Sequence, residues 1–366
     1  MKQTRSGLRI LIAGGGTGGH IIPALAVARE LVARHGAEVL FVGTERGLET
    51  RLVPAAGFQL RLIRVGPLNR VSRLTQLKTI LRLPASFFES RRLLREFRPG
   101  AALGVGGYAS GPVIAAALSM KIPAMVFEPN AIPGMVNRMV GRHVQAAAVN
   151  FPAAAEWFRN CEVSGIPVRP EFFSIGEPLA TAPRLLVFGG SQGARILNVH
   201  LPQVMGELLR AVPGLTVLHQ SGLRNLEATE MAYAESGADP ARWQVKAFID
   251  EMPARFAESH LIVARSGAST VAELAAAGRP ALLVPFAAAA DAHQLRNAEA
   301  MVEAGAAAML EEPELSVPGK LRDTLIDLLS DPGRLAKMGD AARGLAHQGA
   351  AERIADRLAG LGGNGQ

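Results

Sequence analysis

The chain has 366 residues, of which 49% are hydrophobic and 19% are charged, so it can form about two domains of ordinary size and is neither a small module nor a disordered chain. Its single cysteine, Cys161, excludes an internal disulfide and any metal centre that needs several thiolates, and it suits a reducing compartment. Ten basic and two acidic side chains in residues 61–100 account for the whole net charge of +7.

The first predicted strand, residues 9–13, leads into a glycine-rich turn and then a helix-like stretch. We call this turn, residues 14–20, the first glycine loop. It interrupts the N-terminal apolar stretch, so no signal peptide is predicted and a cytoplasmic location is expected. Gly14, Gly16 and Gly19 formally satisfy the dinucleotide fingerprint, which leaves a nicotinamide-dependent oxidoreductase open, although Glu45 is poorly placed as its ribose ligand.

His20 ends the first glycine loop at the predicted start of a helix. The positive end of the helix dipole favours a neutral imidazole there, and such a ring can accept a proton near pH 7. A histidine at this position can equally bond to backbone or water alone. His20 is therefore a candidate base with a structural alternative.

The basic segment, residues 61–98, combines arginines with a predicted amphipathic helix. Its apolar face comprises Leu74, Leu77, Ile80 and Leu81. This pattern predicts either contact with an anionic membrane surface or a solvated helix whose apolar stripe lies in the core. Nucleic acid is not expected as a partner, because no stacking motif accompanies the charge.

Residues 99–120 carry no charge, and 22 such residues could span a bilayer. Their glycines and Pro112 indicate instead a strand, a second glycine loop over residues 106–112, and a helix. A further strand over residues 124–127 completes a βαβ unit, which is typical of parallel sheets.

The pattern of the N-terminal half recurs after a shift of 175 residues. A strand over residues 184–188 enters a third glycine loop, residues 189–195, and a strand over residues 261–264 enters a fourth, residues 265–270. The fold class is therefore α/β, with two Rossmann-like, doubly wound parallel-sheet domains and an interdomain cleft. We predict an N-terminal domain over residues 1–164, a C-terminal domain over 165–345, and a C-terminal helix and tail over 346–366 that could pack on either domain.

Four glycine loops at helix starts indicate phosphorylated ligands, because backbone N–H groups and the helix dipole attract anions there, although the glycines of any one loop could serve only to permit a tight turn. Glu273 lies four residues after Ser269 and could reach a ribose, or it could be a helix-surface residue. Asp291 reads as a possible cap of the next helix.

Three motifs together resemble one family: residues 15–26 (GGTGGHIIPALA), residues 106–112 (GGYASGP) and residues 189–195 (GGSQGAR). The family is the bacterial UDP-N-acetylglucosamine:N-acetylmuramyl-(pentapeptide) pyrophosphoryl-undecaprenol N-acetylglucosaminyltransferases, which complete lipid II in peptidoglycan synthesis. The resemblance covers nearly the whole chain and implies the GT-B fold. It also implies roles in cell wall biogenesis, cell shape and cell division.

The resemblance implies which residues bind the two substrates. The UDP-GlcNAc contacts would be Thr17, Gly18, Gly19, Asn130, Arg169, Ser191, Ile249, Ala268, Ser269, Thr270, Val271, Ala272, Glu273 and Gln294. The diphosphate of the acceptor, lipid I, would meet Gly14, Gly15, Gly16, Gly106, Gly107, Tyr108 and Ser110. The C-terminal domain would hold the donor, and the N-terminal domain the acceptor.

The implied reaction is inverting transfer of GlcNAc to the 4-hydroxyl of the muramyl sugar, with His20 as the first candidate base and Glu128 as the second. No cofactor and no metal are expected. The resemblance also implies a peripheral enzyme on the cytoplasmic face of the cell membrane, attached through residues 61–98, with cell-wall synthesis and division proteins as possible partners. A different UDP-sugar transferase and a non-catalytic scaffold that binds nucleotide sugar remain open.

The sequence departs from the family pattern in two motifs, in which some side chains differ from those of most members. Many members have His-Glu-Gln-Asn where this chain has residues 127–130, Phe-Glu-Pro-Asn. They often have Asp-Asp-His-Gln where this chain has residues 291–294, Asp-Ala-His-Gln. The roles of Asn130 and Gln294 are unaffected.

Overall fold

The computed structural model describes residues 7–16, 18–45, 47–66, 73–178 and 182–363. Its contacts divide the chain into two compact units. Unit 1 comprises residues 1–167 together with 349–366, and unit 2 comprises residues 168–348. Each unit is built on one parallel sheet, which confirms the predicted pair of Rossmann-like folds.

The sheet of unit 1 has seven strands among the described residues, in the order β3-β2-β1-β4-β5-β6-β7. They are β1 (Arg9–Ala13), β2 (Glu38–Gly43), β3 (Gln59–Leu62), β4 (Ala101–Gly104), β5 (Ala124–Glu128), β6 (Ala146–Val149) and β7 (Cys161–Val163). The central strands are buried and apolar except for Arg9 at the start of β1 and Glu128 at the end of β5. This composition suits parallel strands that helices cover on both faces.

The helices of unit 1 that precede its last strand are α1 (Gly18–His35), α2 (Glu49–Ala55), α3 (Arg73–Phe97), α4 (Ser110–Ser119) and α5 (Met135–Val140). Helix α3 confirms the helix predicted in the basic segment. The uncharged stretch after it is divided between β4, the second glycine loop and α4, as predicted. Within the described residues, no helix has the length and apolarity needed to cross a membrane.

Unit 2 has six parallel strands among the described residues, in the order β10-β9-β8-β11-β12-β13. They are β8 (Arg184–Phe188), β9 (Thr216–Gln220), β10 (Trp243–Lys246), β11 (Leu261–Ala264), β12 (Ala281–Leu283) and β13 (Ala307–Met309). Its helices are α6 (Pro170–Phe173), α7 (Arg195–Ala211), α8 (Leu226–Glu235), α9 (Met252–Glu258), α10 (Ala268–Ala277), α11 (His293–Glu303), α12 (Lys320–Leu329) and α13 (Pro332–Gly344).

The last helix, α14 (Ala350–Gly363), belongs to unit 1, a point that the sequence left open. Its apolar face buries Ile354 and Leu358, and the helix packs against α1. On the exposed side, Asp356 accepts hydrogen bonds from Arg34 (2.8 Å) and from Nε2 of His35 (2.7 Å). The chain therefore returns to unit 1 after completing unit 2.

Candidate active site

The strand order of unit 1 reverses between β1 and β4. Ala13 pairs with Gly104, so the two strands end at the same level. Ligands of open parallel sheets bind outside the carboxyl ends of the strands at such a reversal. The first and second glycine loops follow these two strands, and they meet at this point.

The two loops touch through backbone atoms. A Cβ on Gly107, whose φ is +79°, would collide with the carbonyl oxygen of Gly15. A Cβ on Gly14 would lie 2.6 Å from the carbonyl oxygen of Gly106. Since no side chain fits between the loops, glycine is required at both positions.

His20 lies in the first turn of α1 and is partly buried. Its Nδ1 is 3.3 Å from the carbonyl oxygen of Gly15. Because a carbonyl oxygen only accepts, this bond places the ring proton on Nδ1 and the lone pair on Nε2. A Cβ on Gly106 would lie 3.0 Å from Nε2, so that nitrogen faces the second glycine loop. The arrangement suits a ring that accepts a proton at the strand reversal.

Glu128 ends β5 and is buried. Its Oε1 accepts hydrogen bonds from the backbone N–H (3.0 Å) and the side-chain amide (3.1 Å) of Asn130. Its Oε2 accepts from Gly134 N–H (2.9 Å) and the Asn137 amide (2.9 Å). Burial raises the pKa of the Glu128 carboxyl, although these donors act in the opposite direction. A substrate hydroxyl would have to displace a donor, so the geometry favours positioning of Asn130 over proton transfer.

Two N–H groups of the predicted diphosphate site are committed within the protein. Gly14 donates to the carbonyl of Val42 (3.0 Å), and Gly16 donates to the carboxylate of Glu49 (2.8 Å). A phosphate at the first glycine loop would instead meet the first-turn amides of α1, which include Gly18 and Gly19 and lack intrahelical partners. Thr17 lies outside the described residues.

The second glycine loop presents its two predicted side chains differently. Tyr108 is 41% exposed. Ser110 is fully buried, and a Cβ on Gly104 would lie 2.5 Å from its hydroxyl oxygen. The Ser110 hydroxyl is therefore turned toward β4, and only its backbone amide, at the start of α4, is suited to an anion.

In unit 2 the strand order reverses between β8 and β11, where Phe188 pairs with Ala264. The third and fourth glycine loops follow these strands. Both predicted loop pairs therefore lie at the strand reversals of their units. This is the position expected of a ligand site in each sheet.

Gln220, at the end of β9, fastens the third glycine loop. Its side-chain amide donates to the carbonyl of Gly190 (2.9 Å), and its side-chain oxygen accepts from Ile249 N–H (2.8 Å). One buried amide thus links two segments that were predicted to contact the nucleotide. Ile249 is buried and its N–H is committed to Gln220, whereas Ser191 is exposed on the loop.

The fourth glycine loop is fastened to α11. The buried Ser266 donates its hydroxyl to the carbonyl of Gln294 (2.7 Å) and accepts at its own carbonyl from the Asn297 amide (3.1 Å). The side-chain oxygen of Gln294 accepts from Phe286 N–H (3.0 Å). The predicted donor residue Gln294 therefore lies beside the loop.

The predicted donor residues Ala268 to Glu273 form the first turns of α10. Ala268 and Val271 are buried, whereas Ser269, Thr270, Ala272 and Glu273 are partly exposed. The first-turn N–H groups have no intrahelical partner, and they lie at the positive end of the helix. This helix start can bind an anion through its backbone.

Glu273 and Arg169 lie near each other in unit 2. Burial raises the pKa of Glu273 to about 7, and the charge of Arg169 acts in the opposite direction. The Arg169 guanidinium lies over the ring of Phe172 at 5.0 Å from its centroid. The structure therefore brings together the predicted ribose ligand and a cation suited to a diphosphate.

The helix cap predicted at Asp291 is wrong. Helix α11 begins at His293, and the residue before it is Ala292, which has no capping side chain. Asp291 and Ala292 adopt φ values of 50° and 52°, a left-handed conformation that costs non-glycine residues roughly 1–3 kcal/mol each. Such strain is concentrated at functional sites, and this turn leads directly to Gln294.

Three buried polar residues that fasten these loops were not identified from the sequence: Glu49, Gln220 and Asn297. Each bonds to a backbone atom of a residue 30 or more positions away. The sequence signal that could have identified these residues is a polar residue within, or at the end of, an otherwise apolar helix or strand. Among the described residues, no group of three or more His, Cys, Asp or Glu side chains could hold a metal ion.

Two family domains match the chain. The glycosyltransferase family 28 N-terminal domain matches residues 10–149, and the glycosyltransferase family 28 C-terminal domain matches residues 184–356. The chain also resembles the crystal structure of MurG from Acinetobacter baumannii, with a TM-score of 0.82 and 30% identity over 96% of this chain and 99% of that one. The fold is therefore GT-B.

Two similar proteins have the name UDP-N-acetylglucosamine--N-acetylmuramyl-(pentapeptide) pyrophosphoryl-undecaprenol N-acetylglucosamine transferase. The protein from Anaeromyxobacter dehalogenans (strain 2CP-C) is 46% identical over 95% of this chain and 92% of its own length. The protein from Solibacter usitatus is 45% identical over 95% of this chain and 94% of its own length. The chain therefore belongs to glycosyltransferase family 28 and, within it, to the family of these N-acetylglucosamine transferases.

Proposed function

We propose that this chain transfers N-acetylglucosamine from UDP-GlcNAc to the 4-hydroxyl of undecaprenyl-pyrophosphoryl-MurNAc-pentapeptide, with release of UDP. The observation that carries this proposal is the near full-length identity with proteins named for that transfer. The four glycine loops at the strand reversals and the Glu273–Arg169 pair support it, because a transferase with a UDP-sugar donor and a pyrophosphoryl-lipid acceptor must bind two diphosphates and a ribose.

In this scheme unit 2 binds the donor. The first-turn amides of α10 and the Arg169 guanidinium receive the pyrophosphate, and Glu273 accepts hydrogen bonds from the ribose hydroxyls. The third glycine loop, through Ser191, and the segments at Ile249 and Gln294 surround the nucleotide. These groups stabilise the negative charge that develops on UDP as it leaves.

Unit 1 binds the acceptor and supplies the base. Nε2 of His20 removes the proton of the 4-hydroxyl as the oxygen attacks C1 of GlcNAc, and UDP leaves from the opposite face. One displacement inverts the anomeric centre, so no protein nucleophile is required, unlike in the two-step retaining scheme. Asn130, which Glu128 holds in place, is a further proposed contact of UDP-GlcNAc.

We further propose that unit 1 attaches to the anionic cytoplasmic face of the membrane through α3. Leu81 and Phe88 are 71% and 67% exposed, and they share one helix face with the exposed Arg92 and Arg95. Apolar side chains that enter the interface beside cations that bind anionic headgroups are typical of peripheral attachment. Replacing Leu81 and Phe88 by serine should reduce sedimentation with anionic vesicles, and high salt should reduce it further.

The experiment that tests the proposed function is UDP release from UDP-GlcNAc, with and without a lipid I analogue, beside a titration with NADH. We expect release that depends on the acceptor. Binding of NADH without UDP release would instead support a nicotinamide-dependent oxidoreductase. Binding of UDP-GlcNAc without turnover in the presence of acceptor would support a non-catalytic scaffold.

A further inference from the structure

Glu49 is fully buried beneath the first glycine loop, at the start of α2. Its Oε2 accepts a hydrogen bond from Gly16 N–H (2.8 Å). Its Oε1 accepts from the N–H (2.9 Å) and the hydroxyl (3.0 Å) of Thr44. The proposed reaction does not use this carboxylate directly, and its position therefore requires a different explanation.

The chain surrounds the Glu49 side chain with glycines. A Cβ on Gly15, Gly43 or Gly47 would collide with it. These glycines come from three separate stretches of backbone: the first glycine loop, the end of β2 and the turn before α2. Such close approach from three sides leaves room for one carboxylate in one orientation.

Among the described residues, the three groups bonded to Glu49 are all donors, so the site requires two acceptor oxygens. A glutamine of the same shape has one oxygen and one NH2 group, and the NH2 would face either Gly16 N–H or the Thr44 donors. Leaving a buried donor without an acceptor is costly, so the surrounding backbone would have to move. The Glu49 carboxylate therefore fixes the orientation of the Gly16 N–H.

The Gly16 N–H belongs to the same peptide group as the Gly15 carbonyl, and a trans peptide directs these two groups in opposite directions. The N–H donates to Glu49, and the carbonyl accepts from Nδ1 of His20 (3.3 Å). The three groups form a continuous chain of hydrogen bonds from a carboxylate, through one peptide, to an imidazole. Such chains polarise each member and strengthen its bonds.

We propose that Glu49 is a positioning residue for His20, which acts through the Gly15–Gly16 peptide to keep the ring proton on Nδ1 and the lone pair on Nε2. The effect on turnover rests on the proposed function, in which His20 is the base. The effect on the histidine tautomer does not depend on it. The two effects can therefore be tested separately.

The first test measures the His20 ring in the unaltered protein by 15N NMR, since protonated and unprotonated ring nitrogens have distinct shifts. The chain has eight histidines, and the His20 signals are those that disappear in His20→Gln. We expect a neutral ring with the proton on Nδ1. A neutral ring with the proton on Nε2 would overturn the proposal without any Glu49 variant, even if such variants failed to fold.

The second test compares Glu49→Gln with Thr44→Val. The valine removes one donor to Glu49 but leaves the Gly16 bond intact, so it is a matched control for disturbance of the same cavity. We expect Glu49→Gln to populate the Nε2–H tautomer and to lower kcat by about 10- to 100-fold, with KM for UDP-GlcNAc little changed. Thr44→Val should retain the tautomer and most of the turnover.

Three results separate the possible failures. An unchanged His20 spectrum in Glu49→Gln would overturn the positioning role. An equal loss of the tautomer in Thr44→Val would overturn it too, since the effect would then come from packing alone. A changed tautomer with unchanged kcat would support the positioning role and contradict the proposed role of His20 as base.

Discussion

The two units place a pair of loops at the same point of the same kind of sheet, but they fasten these loops with opposite chemistry. In unit 1 the carboxylate of Glu49 accepts a hydrogen bond from Gly16 N–H of the first glycine loop, and the carboxylate of Glu128 likewise accepts from backbone N–H groups of the segment after β5. In unit 2 they are the side-chain amides of Gln220 and Asn297, which donate to backbone carbonyls.

This difference decides which backbone groups remain for a ligand. A carboxylate occupies N–H donors and places a negative charge beneath the loop, whereas an amide occupies carbonyl oxygens and adds no charge. Unit 2 therefore suits a diphosphate that gains charge as it leaves, while unit 1 suits an oriented base. The predictions below test this contrast with four variants, from the largest expected effect to the smallest.

His20→Ala tests the role of unit 1. Loss of a general base should lower kcat by about 10²- to 10⁴-fold. The Kd for UDP should be unchanged, because UDP is held by unit 2 in this scheme. Turnover and calorimetric titration measure the two quantities, with His143→Ala, an exposed histidine of the same unit, as the control. Full turnover in His20→Ala would remove this residue from the mechanism.

Glu128→Gln tests whether the second carboxylate positions or reacts. Glutamine offers one oxygen where four donors require two, so we expect a loss of about 1–3 kcal/mol in the free energy of unfolding. The kcat should fall about as much as in Asn130→Ala, by roughly tenfold. A much larger fall in Glu128→Gln than in Asn130→Ala would show that the carboxylate takes part in proton transfer.

Gln220→Glu replaces the amide beneath the third glycine loop of unit 2 by a carboxylate, the group found beneath the first glycine loop of unit 1. The new carboxylate cannot donate to the Gly190 carbonyl, and its charge repels a diphosphate, so UDP should bind roughly tenfold more weakly. Gln220→Met removes this hydrogen bond and also the acceptor of Ile249 N–H, without adding charge, and should still weaken binding less. A loss in Gln220→Met as large as that in Gln220→Glu, measured by titration at low salt, would contradict a role for charge beneath the loop.

Glu273→Gln tests pH dependence within unit 2. Burial raises the pKa of Glu273 from 4.5 to about 7, so the folded protein holds this proton more tightly than the unfolded chain does. The contribution of Glu273 to stability is therefore greatest below pH 4.5, falls as the pH rises to about 7 and is constant above it. Urea unfolding should show Glu273→Gln gaining stability relative to the unaltered protein as the pH rises from 5 to 7.

The same titration should affect the donor. A protonated carboxyl accepts fewer hydrogen bonds from ribose hydroxyls, so the affinity for UDP-GlcNAc should decline several-fold as the pH falls through about 7. Glu273→Gln should bind more weakly at pH 8 and show no such decline. A decline of the same size in Glu273→Gln would assign the titration to another group.

The fold and the positions of the four loops could be predicted because they depend on local pattern. An apolar run, a glycine turn and a helical period specify strand, loop and helix, and their repetition specifies two sheets. The unit on which α14 packs could not be predicted, because the apolar face of the helix does not specify which other helices cover it. The cap at Asp291 failed because the turn before α11 uses two left-handed residues rather than a side-chain cap.

The buried side chains that fasten the loops, such as Glu49 and Gln220, could not be predicted for a different physical reason. Glu49 bonds to the N–H of Gly16, and Gln220 to the carbonyl of Gly190, and every peptide has such groups. A backbone partner leaves no mark in the sequence, unlike a complementary charged side chain. The buried position of a polar residue becomes informative only when the fold shows which loop lies above it.

The most direct test of this account is amide hydrogen exchange with and without UDP. We expect UDP to protect the segments over residues 189–195 and 265–273 in unit 2, with little change over residues 14–20 and 106–112 in unit 1. Protection confined to the two glycine loops of unit 1 would contradict the central claim, which assigns the donor to the third and fourth glycine loops of unit 2.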